Sequence, residues 1–276
     1  MKKVCIKKAL ASLALAALVI VICLCCAKCS SGYPTGEAFG IDVSEYQGKI
    51  DWNSVKNQTK TQKPIVFAII RSTMGGNAKD KRFDVNMAGA RNAGLVVGAY
   101  HYYRPNENSQ AQAENFIRNV NLKKGDIIPV VDIELSPSVQ SWSSLKIGLR
   151  NYVTLIEKAY GEKPIIYTGK SIWESQLKED FSDCKLWVAA YSPKRREDPT
   201  VKNAAIHQFS DEIRLPGIGS KHVDGDDVRA IETLLLKWVD TLITQNRISV
   251  SRCAIFCKNK SIFYIILTDW RKLIYN

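Results

Sequence analysis

The segment Ile127-Ile128-Pro129-Val130-Val131-Asp132-Ile133-Glu134 is an apolar run that ends in two acids. Its short length and its Ile and Val content read as a buried β-strand. Strand side chains alternate between faces, so Asp132 and Glu134 share one face, with Cα atoms roughly 7 Å apart. Removing two neighbouring carboxylates from water costs several kcal/mol unless they are paired, hydrogen-bonded, or one keeps its proton. Such a cost points to function if the strand belongs to a parallel barrel, because barrel enzymes carry their chemistry at the carboxyl ends of their strands. Two solvated acids at a strand end would give the same eight letters, so the reading depends on what surrounds them.

From Phe39 onward, short apolar runs alternate with amphipathic stretches, the signature of strand–helix units repeated around a parallel sheet. Strands are expected at Phe39–Val43, Ile65–Ser72, Leu95–Tyr103, Ile127–Glu134, Pro164–Thr168, Leu186–Tyr191, Ala204–Phe209 and near His222–Asp224. Helices are expected at Phe83–Ala93, Ser109–Val120, Ser141–Tyr160 and Ile231–Ile243. Eight strands suit a closed α/β barrel. Little helical material separates the last three, so the expectation is an irregular TIM-like barrel rather than a regular eightfold one.

The chain of 276 residues is long enough for one large domain with a full core. At its start, Lys2, Lys3, Lys7 and Lys8 precede an apolar run from Ala9 to Ala27, the pattern of an export signal or an uncleaved membrane anchor. Cys29-Ser30-Ser31-Gly32 has the form of a lipidated mature terminus, with Lys28 where a small residue is usual. Residues 1–29 are therefore set apart as signal or anchor, 30–37 as linker and 38–243 as the catalytic barrel. Beyond it, Arg247, Arg252, Lys258 and Lys260 are followed by the apolar Ile262–Leu267 without matching turn chemistry. Residues 244–276 read as an appendage, the alternative being a final packed helix.

A formal net charge of +12 invites a nucleic-acid reading, but +5 lies in residues 1–29 and another +5 in residues 246–276, leaving +2 for the body. A basic footprint for DNA or RNA is not supported. Of eight cysteines, Cys5, Cys23, Cys25, Cys26 and Cys29 lie in or beside the leader, Cys253 and Cys257 lie in the tail, and Cys184 is left in the body. An exported domain with one cysteine has no internal disulfide and depends on core burial, and it is expected to act as a monomer. His101, His207 and His222 stand outside any paired ligand motif such as His-x-His, so neither a metal nor a cofactor is expected, although a metal-dependent barrel hydrolase is a competing reading.

Two further acids end strands. Asp42 lies in Gly40-Ile41-Asp42-Val43-Ser44 and Asp224 in Val223-Asp224-Gly225-Asp226. In a closed barrel the first and last strands are neighbours, so Asp42 and Asp224 can share a mouth with Asp132 and Glu134. Four acids in one pocket suit glycoside cleavage, which needs a proton donor whose pKa is raised by its neighbours. Tyr100, Tyr102, Tyr167, Trp187 and Tyr191 fall near strand ends and would offer sugar rings a stacking surface.

The stretches Phe39-Gly-Ile-Asp-Val-Ser-Glu-Tyr-Gln-Gly-Lys-Ile-Asp-Trp52, Gly98-Ala-Tyr-His-Tyr102, Val131-Asp-Ile-Glu134, Leu186-Trp-Val-Ala-Ala-Tyr191 and Val223-Asp224, taken in order, resemble glycoside hydrolase family 25, the Chalaropsis-type lysozymes. The resemblance runs from about residue 38 to about residue 240. It implies a (β/α)5β3 barrel that cleaves the β-1,4 bond between N-acetylmuramic acid and N-acetylglucosamine in peptidoglycan, in the cell envelope or outside the cell. It implies Glu134 as general acid, Asp132 as its partner, and Asp42 and Asp224 as the rest of the acidic cluster. Either the substrate's acetamido group attacks, steered by Asp132, or a water does. Gln208 matches the family within His207-Gln208-Phe209-Ser210, whereas His207 stands where the family has Trp, and Gly225-Asp226 replaces an apolar residue and Asn. An inactive barrel that retains a glycan groove is the competing reading.

Overall fold

The computed structural model describes residues 34–61, 63–191, 198–219 and 222–237. The expected leader and the expected tail lie outside the described residues, as do the last six residues of the helix expected at 231–243. Among the described residues nine strands form one sheet: β1 Ala38–Val43, β2 Ile65–Met74, β3 Ala78–Lys79, β4 Val96–Tyr102, β5 Val130–Asp132, β6 Ile165–Gly169, β7 Leu186–Ala189, β8 Ile206–Ile213 and β9 Val223–Val228. The hydrogen-bonded order is β1-β9-β8-β7-β6-β5-β4-β2-β3, and a β1–β2 pairing closes eight strands into a barrel, with β3 folded back on β2 outside the ring. Seven barrel strands run parallel, while β9 is antiparallel to both its neighbours, β8 and β1. The irregular α/β barrel expected from the sequence is what forms.

Strands such as β2 are buried on both faces because the barrel interior lies on one side and a helical layer on the other. That layer contains α1 (Trp52–Lys56), α2 (Phe83–Asn92), α3 (Ser109–Asn119) and α4 (Trp142–Tyr160). Helix starts follow local capping chemistry: Asp51, Asn108 and Ser141 accept hydrogen bonds from the first-turn amides of α1, α3 and α4. Gly161 ends α4 in the left-handed conformation, φ 75°, where a side chain is unfavourable. Between β6 and β7 the helical connection is broken into α5 (Lys170–Ile172), a π turn (Trp173–Leu177) and α6 (Lys178–Phe181). Among the described residues before β8 the only helix is the one-turn α7 (Pro199–Asn203), so the described part of the second half is as poor in helix as expected.

Two expected elements are corrected. The strand expected at Ile127–Glu134 is regular over Val130–Asp132 alone, because Pro129 has no N–H to give to a ladder. Upstream, the chain still hydrogen-bonds as an edge, Ile127 N to Val97 O at 2.8 Å and Ile128 N to Leu234 O at 2.9 Å. The helix expected at Ile231–Ile243 begins as a single 3₁₀ turn, Ile231–Leu234, after which Leu235 bridges Ile127 in antiparallel fashion. Ile231, Leu234, Leu235 and Leu236 are all buried, a spacing that plugs the amino end of the barrel and suits no single helix face.

Candidate active site

The carboxyl ends of the parallel strands converge on a cavity of about 250 Å³ lined by Asp42, Asp132, Glu134 and Asp224, together with Val43, Ser44, Tyr46, Gln47, Arg71, Tyr100 and Tyr102. The four acids singled out in the sequence therefore meet. Asp42 is the penultimate residue of β1 and Asp132 the last of β5, and both are buried. Glu134, two residues beyond β5, is open to solvent. Asp224 reaches the same mouth because β9 runs backwards: its start lies beside the end of β1, where Asp224 pairs directly with Asp42. Had β9 been parallel, this acid would stand at the opposite end of the barrel.

Electrostatics follow from the crowding. Burial, then the Glu134 charge and a hydrogen bond with Glu134, push the Asp132 carboxyl well above the usual range, with Arg71 opposing. Burial raises Glu134 as well, while its hydrogen bond with Asp132 pulls it down. Burial and mutual repulsion thus oppose ionisation of both carboxyls together, most strongly at the deeper Asp132. Asp42 is raised by burial and by the Asp224 charge, and Asp224 is raised to about 6, chiefly by burial and the Asp211 charge.

A layer of polar groups lies beneath the pocket. Gln208 Nε2 donates to Asp42 Oδ2 at 2.7 Å, and Gln208 Oε1 accepts from the hydroxyls of Tyr167 and Tyr191, each at 2.8 Å. These bonds fix the amide's orientation. Gln208 and Tyr167 are buried supports for Asp42, and Tyr191 is 46% exposed. Trp187 is corrected: at 2% exposure, edge-on to Tyr167 with ring centres 4.7 Å apart and with Nε1 donating to Asp226 at 2.9 Å, it offers no face to a sugar. Tyr100 and Tyr102 do line the cavity.

Residues 41–218 match Glycosyl hydrolases family 25. The chain belongs to this family. It is 34% identical over 179 residues to the uncharacterized protein YegX of Escherichia coli strain K12, a match that spans 65% of each chain. Lysozyme M1 of Streptomyces globisporus is 38% identical over 145 residues, 49% of this chain and 48% of that one. Among solved structures, the bacterial lysozyme from Streptomyces coelicolor superposes with a TM-score of 0.63 at 30% identity, covering 72% of this chain and 96% of that chain.

Several site residues of this family member escaped the sequence reading. Arg71 enters the pocket because it shares the inward face of β2 with Phe67 and Ile69, and the register shift against β4 between Arg71 and Thr73 turns the next residues outward. Asp80, beyond the β3 turn, holds it through Nε at 2.9 Å, and Glu45 accepts from Nη2 at 3.3 Å. The guanidinium lies 4.7 Å from the ring centre of Tyr46, a rim residue that is 65% exposed. An arginine inside an apolar strand was a readable signal, whereas nothing local marks Asp80 as its partner. Past the bulge, Thr73 and His101 face away from the barrel interior. The His101 ring is held by Thr73 at 2.7 Å and Gln112 at 3.2 Å and stacks on Tyr152. His207 also faces away from the pocket, with Nε2 2.9 Å from Ala190 O. It forms no sugar platform.

Proposed function

We propose that this chain is an N-acetylmuramidase that hydrolyses the β-1,4 bond between N-acetylmuramic acid and N-acetylglucosamine in peptidoglycan. The observation that carries this reading is the Asp132–Glu134 carboxyl pair lining one cavity with Asp42 and Asp224, where burial raises the pKa of both members. Glycoside cleavage needs one carboxyl that holds a proton near neutral pH and other carboxylates that offset the positive charge developing at the anomeric carbon. Family membership and the lysozyme names of two relatives support the same substrate class.

The outer Glu134 is the group placed to meet the glycosidic oxygen. When a glycan fills the cavity and displaces water, the Glu134 carboxylate loses solvation and takes the proton that Asp132 holds. Glu134 then gives that proton to the leaving oxygen as the C1–O bond breaks. Asp132, now ionised, orients the substrate's acetamido oxygen or a water for attack at C1. In either route a water supplies the new hydroxyl and returns its other proton to the carboxyl pair. Retention of anomeric configuration in the nascent product marks acetamido participation, and inversion marks direct attack. Tyr100, Tyr102 and Tyr191 serve as sugar-facing aromatics. The lysine-led apolar start of the chain supports export to the envelope or beyond.

Mass analysis of the sugar ends released from purified peptidoglycan tests the assignment. New reducing ends on N-acetylmuramic acid are expected. Reducing N-acetylglucosamine, released peptide without glycan cleavage, or no turnover at all would overturn it, the last favouring a barrel that only binds.

A further inference from the structure

Asp226 is fully buried and plays no part in the reaction described above. It follows Asp224 by two residues on β9, so its side chain points into the barrel one step below the pocket, with Gly40 of β1 and Gln208 of β8 as its lateral partners. Its Oδ1 accepts the indole N–H of Trp187 at 2.9 Å. Among the described residues no donor reaches Oδ2, which is closed to water. An ionised Asp226 would leave a bare buried oxygen and an uncompensated charge, each expensive in a barrel core. A proton on Asp226 removes both costs.

The groups that face it agree. Asp42 on β1 and Asp224 on β9 are acidic, and burial together with their charges drives Asp226 to keep a proton, opposed by the Trp187 bond. Gln208 on β8 is neutral, its amide N–H already directed at Asp42. The proton's natural acceptor is the carboxyl of Asp42, which interacts with both Asp224 and Asp226. We propose that Asp226 is a positioning residue: neutral and buried, it donates a hydrogen bond to Asp42 and, with Gln208, keeps the negative charge of the Asp42–Asp224 pair at the pocket wall. Its kinetic consequence rests on the hydrolase reading. Its protonation does not.

Full-length Asp226→Asn and Asp226→Leu proteins test this. Asparagine keeps a neutral donor, so turnover should stay within about threefold of wild type, with the acid limb of kcat/KM unmoved. Leucine removes the donor, so turnover should fall about tenfold, the worth of one buried hydrogen bond of ~1.4 kcal/mol. Its acid limb should move to higher pH, because the Asp42–Asp224 pair then takes up a proton more readily. Infrared difference spectra of the unliganded wild type against Asp226→Asn at neutral pH should show the carbonyl stretch of a protonated acid in the wild type alone. The proposal is overturned by the absence of that band, by an acid limb that moves to lower pH in Asp226→Asn as removal of a true charge would require, or by Asp226→Leu kinetics equal to wild type. If Asp226→Leu does not fold, the asparagine variant and the spectrum still decide. If the wild type leaves peptidoglycan uncut, the hydrolase reading fails and the infrared band alone judges Asp226.

Discussion

Replacing Glu134 by Gln isolates the proton from everything else that this residue does. Glu134 lies open at the pocket while Asp132 behind it is buried, so the substitution leaves the deeper packing untouched. The glutamine Oε1 can still accept from Asp132, which preserves the pair's geometry. Only the transferable proton is lost, and turnover should fall by on the order of 10²- to 10⁴-fold, or about 3–5 kcal/mol of transition-state stabilisation. Stability should move the other way. A carboxyl raised by burial favours the folded state below its unfolded pKa and disfavours it as pH rises through the folded value, so at neutral pH removing the acid should leave Tm unchanged or higher. Release of reducing ends from purified peptidoglycan, measured with glycan binding and thermal melts on the same samples, provides the assay. Asp51→Asn is the control: Asp51 caps α1 away from the pocket, and asparagine caps as well. Near wild-type cleavage by Glu134→Gln would remove this residue as the acid, and a loss of activity that tracks a fall in Tm would show damage to the fold instead.

Gly40→Ala should destabilise the barrel by about 1–3 kcal/mol, the usual cost of overpacking, because its Cβ would fall 2.4 Å from the Phe67 ring. A lowered Tm that Phe67→Leu partly restores is expected, and an unchanged Tm would refute the close approach. Asp183, hydrogen-bonded to Arg150 and Lys163, is held down to about 2. A depressed carboxyl stabilises the fold above its unfolded pKa and loses that effect as pH falls through the folded value. Asp183→Asn should therefore cost up to about 1 kcal/mol at neutral pH, given its exposure, with the difference from wild type vanishing near pH 2 in denaturant melts. His101, lowered to about 4 by burial, stays neutral while an unfolded histidine takes a proton near 6.5, so stability should drop by on the order of 3 kcal/mol between those pH values. An NMR titration midpoint for His101 at or above 6 would contradict this.

Most of the barrel was legible because its strands are apolar on both faces, and runs such as Ile65–Ser72 and Pro164–Thr168 have few other ways to be buried. Side-chain parity puts Asp132 and Glu134 on one face, whereas Asp42 and Asp224 meet only through ring closure and the reversed direction of the last strand. What stayed hidden depends on relations that parity does not encode. The last strand extends to Val228 through Asp224, Asp226 and Asp227, and so many acids conceal a strand whose inward face is buried by neighbours distant in sequence. Its reversed direction is invisible in composition, yet that direction is what brings Asp224 to the mouth. Trp187 and Tyr191 belong to one predicted strand, Trp187 second and Tyr191 last, and depth separates them: the indole turns inward to Asp226, and the phenol stands open at the rim. Arg71 keeps the inward parity of Phe67 and Ile69, whereas Thr73 leaves it at a bulge, a one-residue departure from the periodicity used to read a strand. The same logic explains the helix wrongly expected after Ile231. The end of a barrel has to be closed from several directions at once, and four nearly consecutive apolar side chains on an irregular backbone do that where a helix would bury only one stripe.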